Sequence, residues 1–233
     1  MPNIANSLND FLSDSPFAIV LNTEGLYFLL HDAEFRDIVS SSDLVFVDGV
    51  GLQKALNICG YRDARRLHGP DLFHEMLHRY DGRRRMVLGG SERAHALLME
   101  KYPKLELSED RFFCSDYLDP NNMDPVFEMV DSYCPSEIYV CLGIRKQELI
   151  GNILRQHYPH VGIVGLGASI DFESGNVRRT SRLMQKAGLE WFFRMIREPR
   201  MIPRHARAAI GLLHFVVTHL VKRRNPFGDF NLK

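Results

Sequence analysis

The chain has no Cys-x-x-Cys pair, no glycine-rich nucleotide fingerprint and no apolar run long enough to cross a bilayer. Each absence removes a class of protein. The four cysteines, Cys59, Cys114, Cys134 and Cys141, stand apart, which speaks against a disulfide scaffold or thiolate zinc site and for a reduced, cytoplasmic protein. Neither Gly-x-Gly-x-x-Gly nor Gly-x-x-x-x-Gly-Lys-Ser/Thr occurs, which argues against a dinucleotide-dependent oxidoreductase or a Walker-loop enzyme. There is no Asp-x-Asp either; Asp171-Phe172-Glu173 comes nearest. A metal held between paired aspartates and a diphosphate is therefore not expected, and neither is a cofactor. The first residues, MPNIANSLNDFL, lack the basic start and apolar core of a signal peptide.

What is present is an ordinary globular composition, 45% hydrophobic and 25% charged over 233 residues. That is enough for one large domain, or one domain with an appendage. The formal net charge of zero hides a split. Residues 176–233 carry thirteen Lys/Arg against three Asp/Glu, and residues 1–175 carry sixteen against twenty-six. Such a basic C-terminal part meets something anionic: membrane lipid, phosphate or the acidic remainder of the chain.

Short apolar runs at 17–21, 44–47, 85–88, 138–142 and 161–164 read as buried strands, each followed within a few positions by a small or turn-forming residue. Helical patterns at 50–58, 71–79, 92–101, 123–133 and 146–158 lie among them. Strands apolar on both faces, alternating with helices, predict an α/β fold with a mostly parallel sheet covered on each side. In such folds ligands bind at the carboxyl ends of the strands. A boundary is expected near residue 175. Beyond it, an Arg-rich helical segment is expected at about 180–197, with Pro199 and Pro203 as interruptions. A second helical stretch follows at 208–221, where Arg207, Gly211, His214, Thr218 and Lys222 form a narrow polar stripe on an otherwise apolar cylinder. Some fourteen residues fall short of the roughly 20 needed to span a bilayer. Burial in the core or in a second copy is one reading; Arg204, Arg207 and Lys222-Arg223-Arg224 favour a helix lying in an anionic membrane surface.

The strand-end rule singles out a few polar groups. Asp48, at the end of a strand in Val47-Asp48-Gly49-Val50-Gly51, is placed either to take a proton from a ligand or to cap the next helix. Gly89 and Gly90 precede a helix start that could receive a phosphate. Gln147 follows Gly143-Ile144-Arg145-Lys146 and can both donate and accept hydrogen bonds, as sugar hydroxyls require. Its competing reading is a charged first helical turn.

Taken in order, these motifs resemble the bacterial WecG/TagA/CpsF glycosyltransferases. The carrying segments are Leu21-Asn22-Thr23-Glu24, Asp48-Gly49-Val50-Gly51, Arg66-Leu67-His68-Gly69-Pro70-Asp71-Leu72 and Leu88-Gly89-Gly90. They continue with Lys146-Gln147-Glu148, Gly165-Leu166-Gly167 with Asp171, and Gly188-Leu189-Glu190-Trp191 leading into Arg194, Glu198 and Pro199.

The resemblance implies a Rossmann-like catalytic domain at 1–175, with a basic helical appendage at 176–233 that closes the site and touches membrane. It implies metal-independent, inverting transfer of a sugar from a UDP-sugar to a polyprenyl-diphosphate-linked saccharide. The protein would then be cytoplasmic and peripheral on the inner face of the membrane, in contact with anionic lipid through residues 204–224, with no nucleic-acid partner. Asp48 aligns with the general base, Asn22 and Gln147 with substrate-contacting groups, and Arg66 with an active-site arginine. Gly89, Gly90, Arg179, Arg194 and Arg204 complete the expected substrate-binding set. Departures from the family pattern include Val20, Val47, Arg145, Leu183 and Met201, which change contacts around the sugar and diphosphate but leave the base in place. Two other classes stay open at this stage: a different Rossmann-type nucleotide enzyme, and a non-catalytic scaffold of a polysaccharide assembly complex.

Overall fold

Along strand β2 (Phe17–Leu21) successive side chains alternate between two apolar layers, so every residue of the strand is buried. Phe17, Ile19 and Leu21 enter one layer, Ala18 and Val20 the other. The same holds for β3 (Leu44–Val47), β4 (Arg85–Gly89), β5 (Glu137–Cys141) and β6 (Gly162–Gly165), all buried along their length. With β1 (Asn3–Ala5) they form one sheet in the order β1-β3-β2-β6-β5-β4, and every pairing is parallel. The computed structural model of the chain describes residues 2–12, 15–58, 61, 65–79, 82–103, 118–177 and 202–221.

Helices cover both faces, as a parallel sheet requires. Residues of α2 (Thr23–His31), α3 (Ala33–Ser41), α4 (Val50–Ile58), α7 (Asp124–Tyr133) and α8 (Lys146–His157) pack into the first layer. Those of α1 (Asn9–Leu12), α5 (Gly69–Leu77), α6 (Glu92–Lys101) and α9 (Ser169–Glu173) pack into the second. Side chains such as Leu26, Phe35, Phe46 and Phe73 are at most 1% exposed, and each contributes about 1.5–3 kcal/mol relative to an exposed position. The expected Rossmann-like α/β architecture is thus observed.

Three local differences from the sequence reading have plain causes. The helix expected from residue 71 begins at Gly69, because Pro70 fits the first turn, where its missing N–H costs nothing. Pro203 likewise lies in the first turn of α10 (Ile202–Val216) and starts that helix rather than interrupting it; a π-helical turn, Val217–Val221, follows. The sequence patterns give no sign of the helix pair α2 and α3. Asp32 joins them, closing α2 through its N–H to Phe28 O and capping α3 by accepting from Phe35 N. The expected boundary at 175 falls just before 178–201, and the expected Arg-rich helix at 180–197 lies outside the described residues. Among the described residues no helix is long and apolar enough to cross a membrane.

Candidate active site

Strands β2 and β3 pair in the register Leu21↔Val47, and Asp48 N donates to Leu21 O at 2.8 Å. Asn22 and Asp48 therefore stand side by side at the carboxyl edge of the sheet. The next segment joins them: Leu67 N donates to Val47 O at 2.9 Å, which lays Arg66 along the end of β3. Arg66 Nε comes to 3.8 Å from Asp48 Oδ1, each side chain about one-quarter exposed.

The β3–α4 turn can lie this close to the β2–α2 turn because it is built on glycine. Gly49 has φ +92°, and a Cβ on Gly49 or Gly51 would stand 3.2 or 3.1 Å from Thr23 Oγ1. The geometry also bears on the capping role considered for Asp48. Gly49 O accepts the first helical bond, from Gln53 N at 3.1 Å, so Gly49 occupies the cap position. Among the described residues no N–H of α4 donates to the Asp48 carboxylate. Asp48 is not a helix cap. Asn22, by contrast, caps α2 through Oδ1, which accepts from Gly25 N at 3.1 Å. Its Nδ2 makes no hydrogen bond among the described residues.

Gly89 and Gly90 lie at the end of β4 with φ +99° and +79°, and Ser91 caps α6 by accepting from Ala94 N. A Cβ on Gly89 would meet Cys141 O at 2.2 Å, so the turn nests against the end of β5. His95, which the sequence did not flag, donates from Nε2 to Gly89 O at 2.6 Å. Burial pushes its imidazole below the usual value, and the Gly89 bond and the Asp171 carboxylate oppose that shift.

Gln147 is placed differently from expectation. Its amide is buried, accepting from Gly167 N at 2.8 Å and donating to Glu148 Oε1 at 2.7 Å. It fastens the start of α8 to the β6–α9 turn instead of offering its amide to an open cleft. Arg145, strained at φ +74°, turns away to Asp32 at 2.6 Å and Glu34 at 2.8 Å. Glu148 accepts from Arg145 N at 2.6 Å. Burial pushes the Glu148 carboxyl up to about 7; bonds from Gln147 and the backbone oppose the shift, and the Glu24 carboxylate adds to it. The charged first-turn reading of this segment is the one its geometry fits.

Helix α10 packs chiefly on α2. Arg204 Nε reaches Glu24 Oε2 at 2.9 Å, and Arg207 donates to Glu24 Oε1 from Nε at 2.9 Å and Nη2 at 2.5 Å. Gly211 lets the two backbones touch: a Cβ there would stand 2.8 Å from Tyr27 N. His31 donates from Nδ1 to Tyr27 O, so its Nε2 accepts from His214 Nδ1 at 2.9 Å. Arg207, Gly211 and His214 of the polar stripe thus lie against α2. The apolar side faces outward, with Ile202, Ile210 and Leu213 each more than half exposed.

Of the expected site residues, Asn22, Asp48 and Arg66 come together, while Gly89 and Gly90 lie further along the same carboxyl edge. Arg204 is held by Glu24. Arg179 and Arg194 lie outside the described residues. Among the described residues no group of three or more His, Cys, Asp or Glu is arranged to hold a metal ion. What the constellation offers is an uncapped carboxylate beside a guanidinium and an amide.

A family model described as the glycosyl transferase WecG/TagA/CpsF family matches residues 1–226. An N-acetylglucosaminyldiphosphoundecaprenol N-acetyl-beta-D-mannosaminyltransferase from Bacillus subtilis (strain 168) is 28% identical over 185 residues, which is 77% of this chain and 70% of that protein. The protein of the same description from Bacillus spizizenii (strain ATCC 23059 / NRRL B-14472 / W23) is 26% identical over 206 residues, 83% of this chain and 78% of its own length.

Proposed function

The chain belongs to the WecG/TagA/CpsF family and is a glycosyltransferase, and from that premise we propose that it moves a sugar from a UDP-sugar to a polyprenyl-diphosphate-linked saccharide, with inversion and without a metal. The observation that carries this reading is Asp48: a carboxylate at an open strand end, not used as a cap, with Arg66 beside it. The acceptor class follows the two relatives, whose names describe transfer to a diphosphoundecaprenol-linked sugar.

In the proposed step an acceptor hydroxyl gives its proton to Asp48 as its oxygen bonds to the anomeric carbon. The bond from that carbon to the diphosphate breaks on the opposite face, and UDP leaves with the electron pair. A general base contributes about 10²–10⁴-fold. Alignment of the two substrates and stabilisation of the leaving diphosphate supply the rest. Arg66 and Arg204 are the described cations assigned to that charge; Arg179 and Arg194 are assigned with them from sequence. Asn22 Nδ2 orients a hydroxyl, Gly89 and Gly90 leave room for the donor, and Gln147 acts through the loop it holds.

The outward apolar side of α10, followed in sequence by Lys222-Arg223-Arg224, supports docking on the anionic inner face of the membrane. That surface is where a lipid-linked acceptor resides. The test is a panel of UDP-sugars assayed with lipid-diphosphate acceptors, following UDP release and the mass of the lipid product. Transfer from one UDP-sugar, with the opposite anomeric configuration in the product, is the expected result. Release of no UDP from any donor, or a retained configuration, overturns the reading.

A further inference from the structure

The Glu24 carboxylate is 3% exposed, lies in the first turn of α2, is ion-paired with Arg204 of α10 and accepts hydrogen bonds from Arg207 of the same helix. We propose that Glu24 is a positioning residue: it seats the start of the C-terminal helix beside the Asn22–Asp48 edge, and so sets where the guanidinium groups of Arg204 and Arg207 stand relative to the leaving diphosphate. The second half of this statement rests on the donor reading above; the first half does not.

Three observations place this role on Glu24. Glu24 and Asn22 share one capped helical turn, so whatever Glu24 holds is fixed relative to Asn22 and, through the β2–β3 register, to Asp48. The carboxylate sits at the positive end of α2, which stabilises it independently of the arginines. Two guanidinium groups share one carboxylate, so the cluster keeps a formal charge of +1. The arginine side chains are 35% and 38% exposed, so both guanidinium groups remain reachable from solvent.

The rest of the helix is seated by other means. Gly211 packs on the Tyr27 backbone, and Phe215 is 1% exposed within the core. Both Arg207–Glu24 and His214–His31 are separated by 183 residues, which means that α10 and α2 run parallel and in step. Loss of Glu24 therefore loosens the start of α10 and leaves its far end docked. That locality distinguishes a positioning role from a general loss of stability.

The experiment compares the full chain with Glu24→Gln, and with Glu24→Asp in case the first does not fold. Amide exchange is read along α10, and UDP binding is read by calorimetry. Exchange at 202–208 is expected to rise about tenfold or more while 211–216 changes less than about twofold. The UDP dissociation constant is expected to rise about tenfold with the binding stoichiometry unchanged. A merely structural role moves stoichiometry and not affinity. Unchanged exchange at 202–208 overturns the seat. Faster exchange there with unchanged UDP affinity overturns the positioning role. A wild-type chain that binds no UDP contradicts the donor reading, while the exchange measurement still decides the seat.

Discussion

Arg66 Nε lies 3.8 Å from Asp48 Oδ1, within ion-pair range but beyond hydrogen-bond reach. Arg66 Nε is buried and makes no hydrogen bond. The two groups are close enough to feel each other's charge, yet neither locks the other. An incoming hydroxyl can approach the carboxylate without first breaking a strong pair. Substituting Arg66 by Gln is expected to lower kcat/KM about 10–100-fold, with the fold intact by circular dichroism. Lys is expected to restore only part of that loss, since an ammonium lacks the planar fork of guanidinium. Full activity of the Gln variant would remove Arg66 from the site.

Gly89 tests the packing behind the site. Its φ of +99° and the 2.2 Å approach of a Cβ to Cys141 O leave no room for a side chain. Gly89→Ala is expected to lose about 3 kcal/mol or more in denaturant unfolding. Gly143→Ala, where an added Cβ meets nothing within 4 Å, is expected to stay within about 0.5 kcal/mol of the parent. Similar losses at both positions would contradict the described turn.

The fold was legible where burial on both faces wrote itself into short apolar runs. Strands 17–21 and 44–47 and helices 50–58 and 92–101 match their expected bounds. β1 was not legible, because three residues carry no period and their pairing with β3 is decided by tertiary contact. The site was legible as a set of strand ends but not in its hydrogen bonding. Nothing near Gln147 in sequence announces Gly167 N as its partner. Glu24 lies in the Leu21-Asn22-Thr23-Glu24 segment, two residues from Asn22, yet its partners Arg204 and Arg207 come from the far end of the chain. For the same reason the periodicity of α10 shows a polar stripe without showing that Arg207, Gly211 and His214 lie against α2.

Glu137 gives the pH dependence of stability. Burial raises its carboxyl, but the Tyr139 hydroxyl and the guanidinium groups of Arg79 and Arg85 outweigh burial and hold it below the ordinary 4.5. A depressed carboxyl contributes stability above pH 4.5 that is lost as pH falls through its lower folded value. Glu137→Gln is expected to cost about 3 kcal/mol near neutral pH, because the buried Arg85 guanidinium loses the charge of this carboxylate. The gap between parent and variant is expected to close as the solution is acidified below 4.5, read from denaturant midpoints. A gap independent of pH would contradict this assignment.

The outward side of α10 makes a prediction about lipid. Ile210 and Leu213 are 51% and 65% exposed, so replacing both by Glu is expected to leave folding nearly unchanged. If these side chains enter a bilayer, the double variant loses about 3 kcal/mol of partitioning, roughly a hundredfold, in flotation with phosphatidylglycerol vesicles. Equal flotation of parent and variant would remove this surface from membrane binding.

The central claim is that Asp48 accepts the proton, and Asp48→Asn tests it most directly. The substitution keeps the shape of the turn and removes the basic carboxylate, while the Leu21 O bond uses the backbone and persists. With purified variant of unchanged thermal midpoint and unchanged UDP affinity, the transfer rate to the lipid-linked acceptor is expected to fall about 10²–10⁴-fold. An undiminished rate in that folded, UDP-binding variant would contradict the account.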